Sequence, residues 1–369
     1  MSDVSLKRLR SYAVRRTLFA PTTLRRALKR LGYVQADPIR APARAQDLVL
    51  RLRVKDYRAG DLERRYPELD IEEDFFVNYG FILREHYRLM HPRAGTQRWS
   101  SAKNALARAV LEFVHESGAV HPRDVEQRFG HGRVVNYWGG TSNATTRLLD
   151  GMHYRGLLRV ARRERGIRVY SAQDPREKLT DPALQRLRMD ALIDVLVSLY
   201  APLPRVTLLW LVRRLRYANP QWTRQLGLAL ARTEARLNHA QIDGVNWYWP
   251  AHESIKAGSS DLDRVRLLAP FDPLVWDRFR FERLWGWAYR FEAYTPVPKR
   301  KLGYYALPLL WRDRVIGWAN VTTAAGELDC RLGFVGARPK QRSFERALEA
   351  ELSELQAFLR PRVTSASRI

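Results

Sequence analysis

The sequence predicts an α+β chain of tandem winged-helix (helix-turn-helix) modules followed by a small antiparallel β-barrel and a C-terminal helix. Three observations predict it. An order of three helices and a two-stranded hairpin recurs, residues 261–335 change to short aromatic-rich strands, and no low-complexity linker separates the regions. The boundaries read as 1–100 for a first module, 101–175 for a second, 176–255 for a third, and 256–369 for the barrel and closing helix.

The clearest module lies in the second of these spans. NALARAVLEFVHESG places Leu106, Val110, Phe113 and Val114 on one helical face and stops at Gly118; a second helix starts at Pro122, and a third ends at Gly156. LLRVARRERGIRVYSA then reads as two strands around Gly166. The order repeats from Asp181 to Ala251, where RMDALIDVLVSLYAPL, VTLLWLVRRL and PQWTRQLGLALART precede a hairpin with Asp243 and Gly244 at its tip, a pair that type I′ turns favour. From Val4 to Tyr57, three more helical segments suit a divergent first copy, but its wing is not visible in the pattern. Beyond residue 261, VRLLAPFDPLVW, WAYRFEAYT, GYYALPLLWRDRVIGWANVTT and ELDCRLGFVG read as the barrel strands, and SFERALEAELSELQAFL as the closing helix.

Charge narrows the function. Lysine and arginine number 64 against 39 acids, a net +25, which points to a polyanionic partner. Nine of the basic residues are lysines and 55 are arginines, whose planar fork suits phosphates and guanine edges. Cys330 is the only cysteine, which excludes an intramolecular disulfide and a multi-cysteine metal site and predicts a reduced, cytoplasmic compartment. The most apolar stretch, Ala191 to Leu211, is broken by Asp194, Pro202, Pro204 and Arg205, so no membrane span is expected. His86 and His91 lack a suitably spaced third ligand, so neither a metal nor a cofactor is expected. With no dimerising heptads, the chain reads as a monomer.

The segment RLGYVQADPIRAP carries the candidate chemistry. If YVQAD is a strand after Gly32, alternation sets Tyr33, Gln35 and Asp37 on one face, with Gln35 and Asp37 about 7 Å apart, and Pro38 ends the strand. A carboxylate there can stabilise developing positive charge and accept a proton from water, while the amide orients that water. As a bare pattern it has another reading: Asp37 caps the next element and Gln35 is exposed.

GYVQADPIRAPARAQDLVL resembles the catalytic segment of the AlkZ/YcaQ (AlkX) family of bacterial DNA glycosylases, and LLAPFDPLVWDR resembles that family's C-terminal motif. The likeness covers nearly the whole chain. It implies excision of N7-alkylated purines and unhooking of interstrand crosslinks, with double-stranded DNA as partner and Gln35 and Asp37 as catalytic residues. The sequence departs from the family's pattern at Val77, Asn78 and Tyr79, where relatives commonly read tryptophan, alanine, histidine, glutamate, and at Gln46 and Asp47, where some carry a histidine nearby.

An alkylated base is already cationic, so no strong general acid is needed. Lysines are sparse, and Lys29, nearest in sequence, belongs to a basic helix, which predicts a monofunctional enzyme rather than one with an amine nucleophile. DNA contacts are expected from Arg40, Arg44, the hairpin residues Arg162, Arg163, Arg165 and Arg168, and the loop residues Lys299, Arg300 and Lys301. The second reading is a non-catalytic winged-helix DNA-binding protein such as a transcriptional regulator; against it stand the missing effector domain and the Gln35 and Asp37 pair.

Overall fold

A computed structural model of the chain describes residues 4–95, 97–130, 133–135, 141–174, 180–255, 263–324 and 327–360, with the backbone alone at 133–135, 141–143 and 324. The fold is mixed, with helices and antiparallel sheets. The first stretch comprises α1 (Leu6–Thr17), α2 (Leu24–Leu31), β1 (Tyr33–Gln35), α3 (Ala45–Arg51), α4 (Asp61–Arg65), the hairpin of β2 (Ile71–Phe75) and β3 (Tyr79–Leu83), and α5 (Arg84–Met90). The second comprises α6 (Ser101–Ser117), β4 (Ala119–Val120), α7 (Pro122–Phe129), β5 (Arg133–Val135), β6 (Thr141–Asn143), α8 (Ala144–Tyr154), β7 (Leu158–Glu164) and β8 (Ile167–Ala172). A third holds α9 (Pro182–Tyr200), β9 (Leu203–Pro204), α10 (Arg205–Ala218), α11 (Leu226–Arg236), β10 (Asn238–Ile242) and β11 (Val245–Trp249). The last holds β12 (Val265–Leu267), α12 (Arg278–Trp285), β13 (Leu307–Trp311), β14 (Arg314–Ala324), β15 (Glu327–Phe334) and α13 (Arg342–Leu359).

Local chemistry explains the repeated order. Helix α7 starts where Pro122 occupies the first turn, His121 Nδ1 accepts from the Arg123 amide, and Asp124 accepts from the His121 amide at 2.8 Å. The β7–β8 and β10–β11 hairpins turn through Arg165-Gly166 and Asp243-Gly244, and all four residues have positive φ, the geometry that two-residue I′ turns require. In both sheets the short strand between the first two helices pairs with the second hairpin strand, giving the orders β4-β8-β7 and β9-β11-β10. Trp247, Tyr248 and Trp249 are buried in β11 and serve packing.

The chain forms two compact units, one of Met1–Leu62, Asp194–Trp210 and Thr233–Ile369, the other of Glu63–Ile193 and Leu211–Arg232. In the second, Val110, Val114, Val125, Leu149, Met152, Val160 and Val169 are fully or almost fully buried. In the first, Leu9, Ala13, Trp247, Leu268, Leu274, Phe281, Leu284 and Leu310 form one apolar cluster.

The barrel expected for residues 256–369 is corrected to an open sheet. Among the described residues β12, β13, β14 and β15 pair antiparallel in that order, with β12 and β15 at free edges of the ladder. The reason lies in WAYRFEAYT: residues 287–295 form coil and turns, and the rings of Trp287, Tyr289 and Phe291 pack on Phe281, Trp318 and Tyr305 instead of supplying a strand. The edge at β12 is covered by α13, whose buried Glu351 accepts from the Leu267 amide at 2.7 Å and from Arg51 at 2.5 Å.

The first unit is held by a fully buried ion pair. Arg53, just past α3, donates to both Asp272 oxygens at 2.8 and 3.0 Å, to the Thr17 carbonyl ending α1 and to the Val49 carbonyl in α3. Removing one partner strands a charge. Arg53→Met and Asp272→Leu are each expected to destabilise by about 3–5 kcal/mol, and the double variant to recover much of the loss. Urea midpoints check this; a double variant as unstable as the sum of the singles counts against it.

Candidate active site

Helix α2 sets the entry to the site. Leu24, Ala27, Leu28 and Leu31 bury one face at helical spacing, Thr23 caps the first turn by accepting from the Arg26 amide, and Gly32, at φ +72°, donates to Leu28 O and releases the chain into β1. Tyr33, Val34 and Gln35 are all buried. The strand is shorter than expected. It stops at Gln35, and Asp37 lies two residues beyond, because its amide bonds to Gln46 Oε1 at 3.2 Å instead of a ladder partner and Pro38 has no donor.

Asp37 is 8% exposed. Its Oδ1 accepts from the Ile39 amide at 2.9 Å, an Asx turn that fixes the carboxyl. Burial pushes this carboxyl above the usual carboxylate range, and the Ile39 hydrogen bond offsets only part of that rise. Neither influence is a cation. The Asp37 charge in turn raises the phenol of Tyr305, after burial, and that of Tyr294, which places an aromatic group in its field.

Helix α3 holds the Asp37 backbone. Gln46 is buried and turns its amide oxygen to the Asp37 backbone, while Asp47 accepts from the Tyr57 hydroxyl at 2.7 Å and the Gly60 amide at 3.0 Å. Gln46 is thus a positioning residue, and Asp47 ties α3 to the turn that follows. Burial also raises Asp47, and its two hydrogen bonds pull it back. Among the described residues no group of three His, Cys, Asp or Glu side chains is arranged to hold a metal ion. No described helix is long and apolar enough to cross a membrane.

A family model described as DNA glycosylase AlkZ-like matches residues 28–358. The chain belongs to the AlkZ-like DNA glycosylase family. Membership makes it a DNA N-glycosylase, a hydrolase of the base–sugar bond. Among solved structures, the Streptomyces sahachiroi DNA glycosylase AlkZ is similar over 96% of this chain and 97% of that one, with a TM-score of 0.62 and 14% identity, a likeness of fold.

In this AlkZ-like chain the basic residues separate into two groups. Arg163 is committed to Glu73, at 2.6 and 2.8 Å, and Arg168 pairs with Asp150 at 2.9 Å between the rings of Tyr79 and Tyr170. Arg162 is exposed and paired with Glu164, and Arg165 stands at the hairpin tip with no ion pair among the described residues. Arg40, Lys299 and Lys301 are exposed, Arg44 is half-buried at the start of α3, and Arg300 donates to Thr295 O at 2.8 Å. The structure brings Gln35, Asp37 and Gln46 into one neighbourhood through β1 and α3.

The family departures have local explanations. Arg214 donates to Val77 O at 2.7 and 2.9 Å and to Asn78 Oδ1 at 2.6 Å, so Asn78 shapes the β2–β3 turn, and Tyr79 donates to Glu73 at 2.9 Å. Sequence reasoning missed the aromatic group that feels the Asp37 charge. The only signal was the density of rings in FEAYTPVPKRKLGYY, some 260 residues away.

Two outcomes are expected. A carboxyl raised by folding adds nothing to stability when protonated in both states, below its unfolded value of about 4, and costs stability as pH rises through its folded value. Asp37→Asn therefore melts no lower than wild type at pH 7, with any gain vanishing below about pH 4; a lower melting temperature at pH 7 contradicts the assignment. Gln46→Met, which removes the acceptor for the Asp37 amide, lowers kcat about tenfold with little change in KM; equal loss in DNA binding makes Gln46 a binding residue instead.

Proposed function

We propose that the chain is a monofunctional DNA glycosylase that hydrolyses the N-glycosidic bond of N7-alkylated purines, with interstrand-crosslinked purines as further substrates. The observation that carries this reading is a buried carboxylate, Asp37, that no basic side chain among the described residues neutralises in a chain of net charge +25. Such a group is at ease when a cation arrives. An N7-alkylated purine is cationic, and as it leaves, positive charge moves onto the sugar as an oxocarbenium ion, which Asp37 stabilises.

Gln35 positions the attacking water and Asp37 takes its proton, the raised carboxyl making it a better base than an exposed aspartate. The water oxygen bonds to C1′ as the C1′–N9 bond breaks and its electron pair returns to the purine, neutralising it. Lys29 is exposed in the last turn of α2, which favours water over an amine as nucleophile.

The orders α6-β4-α7-α8-β7-β8 and α9-β9-α10-α11-β10-β11 are proposed as winged-helix modules over 101–175 and 176–255, with 1–100 as a divergent first module whose helices are α1, α2 and α3. Arg40, Arg44, Arg162, Arg165, Lys299, Arg300 and Lys301 are assigned to phosphates; Arg163 and Arg168, held inside by acids, support the module that carries the tip arginine.

The test is base release from a duplex containing N7-methylguanine, with a nitrogen-mustard crosslink in parallel and abasic sites developed by alkali. Asp37→Asn is expected to lower the single-turnover rate by about 100- to 1,000-fold, and Gln35→Ala to lower turnover more than binding. Borohydride is expected to trap no covalent complex. Preserved turnover in Asp37→Asn removes the mechanism, and tight binding without release by wild type favours a DNA-binding role.

A further inference from the structure

Tyr294 is 79% exposed, more than any other large hydrophobic side chain described. It belongs to the 291–305 segment, which is neither helix nor strand apart from a single turn at Val297–Lys299, yet is tied down at many points. The Glu292 carboxylate accepts from the backbone amides of Lys301, Leu302 and Gly303 at 2.9, 2.8 and 3.3 Å, closing the segment into a loop. Asn320 on β14 donates to Leu302 O at 2.8 Å, and Gly303, at φ +117°, is required because a Cβ there would strike the Asn320 side chain.

Behind Tyr294 stands a stack of rings. Phe291 meets Tyr294 edge-on at 6.0 Å, Tyr305 at 5.1 Å and Phe271 at 5.2 Å. Phe271 adjoins Asp272, whose partner Arg53 grips α3, the helix that positions Asp37. The Arg53–Asp272 pair thus links α3 and the Asp37 backbone on one side with the rings behind Tyr294 on the other. The neighbouring Tyr304 already has a cation on its face, the Arg300 guanidinium at 5.1 Å, whereas no described cation lies over Tyr294.

We propose that Tyr294 is the stacking platform for the alkylated base, its face receiving the cationic purine while Asp37 addresses the sugar. The proposal rests on the substrate reading above and adds its selectivity element. A tyrosine face is the negative end of a quadrupole, so it holds a cationic purine more strongly than a neutral one. The rigid loop presents that face without an ordering cost at the moment of binding. Lys299 and Lys301, exposed on the same loop, are placed to hold the flanking phosphates.

The test compares Tyr294→Phe, Tyr294→Leu and Tyr294→Ala with wild type on two readouts. The first is binding to duplexes carrying guanine or 2′-fluoro-N7-methylguanine, whose fluorine blocks base departure; the second is single-turnover release from ordinary N7-methylguanine. Tyr294→Phe is expected to keep the preference for the lesion duplex to within about threefold, and the Leu and Ala variants to lose about tenfold or more of it. Affinity for the guanine duplex stays unchanged in all three. Equal behaviour of the Phe and Leu variants, or undiminished preference in the Ala variant, overturns the platform while leaving Asp37-dependent hydrolysis intact. Lesion preference that vanishes in the Leu variant when wild type releases no base upholds the platform and removes the hydrolytic reading; a wild type with neither release nor preference removes both.

Discussion

The Arg53–Asp272 pair is the constraint on which the first unit depends. Neither side chain touches solvent, and the guanidinium also satisfies the last carbonyl of α1 and one in α3. An apolar residue at position 53 could fill the volume but could not bring three distant backbone segments to one point. The pair costs desolvation, and its role is better seen as specifying register than as adding stability. Asp272 extends that role by accepting from the Leu274 amide and shaping the turn from which Phe271 projects. The Asp37 carboxylate and the proposed aromatic platform are thus linked through the same two charges.

Net charge conceals a division of labour among the arginines. Arg53, Arg93 and Arg280 are buried, and Arg51, Arg159 and Arg163 reach buried carboxylates at Glu351, Glu72 and Glu73. Arg280 is held by the Pro202, Pro273 and Leu274 carbonyls and the other five by internal acids, so all six are taken up in holding the fold. The exposed remainder includes Arg40, Arg165, Lys299 and Lys301, the residues proposed to meet phosphates. Composition reads both populations as one number.

Legibility in the sequence followed how local each cause was. Helix α2, its Gly32 stop and the two hairpin tips were legible because caps, periodicity and positive φ act within a few residues. The hairpin β2–β3 was not, since IEEDF reads as a solvated acidic run; its three acids are buried because Arg84, Arg159, Arg163, Arg93 and His91 reach them from other elements. The alternation in WAYRFEAYT is real but orders rings rather than a ladder, and so suggested a barrel that the sheet does not close. Gln35 and Asp37 were recognisable as a motif, but Gln46 was noticed only as a departure from the family, and Tyr294 only as part of an aromatic stretch.

Two buried aspartates show how environment assigns their work. For Asp74, burial alone would raise the carboxyl, but Arg93 at 3.0 Å and the His91 hydrogen bond overcome it and hold the group well below the carboxylate range. His91, kept neutral by burial, donates to it, and the cluster is closed to chemistry because each charge is spent on a neighbour. Asp37 has the same side chain, less deeply buried, but no cation among the described residues offsets its desolvation, so burial prevails and the carboxyl rises. A proton acceptor useful near neutrality must be of the second kind, since a carboxylate already satisfied by arginine neither takes a proton from water nor gains from a nearby cation. In the proposed mechanism, the instability that remains at Asp37 is what lets a charged base and a developing oxocarbenium ion be stabilised there more than by water.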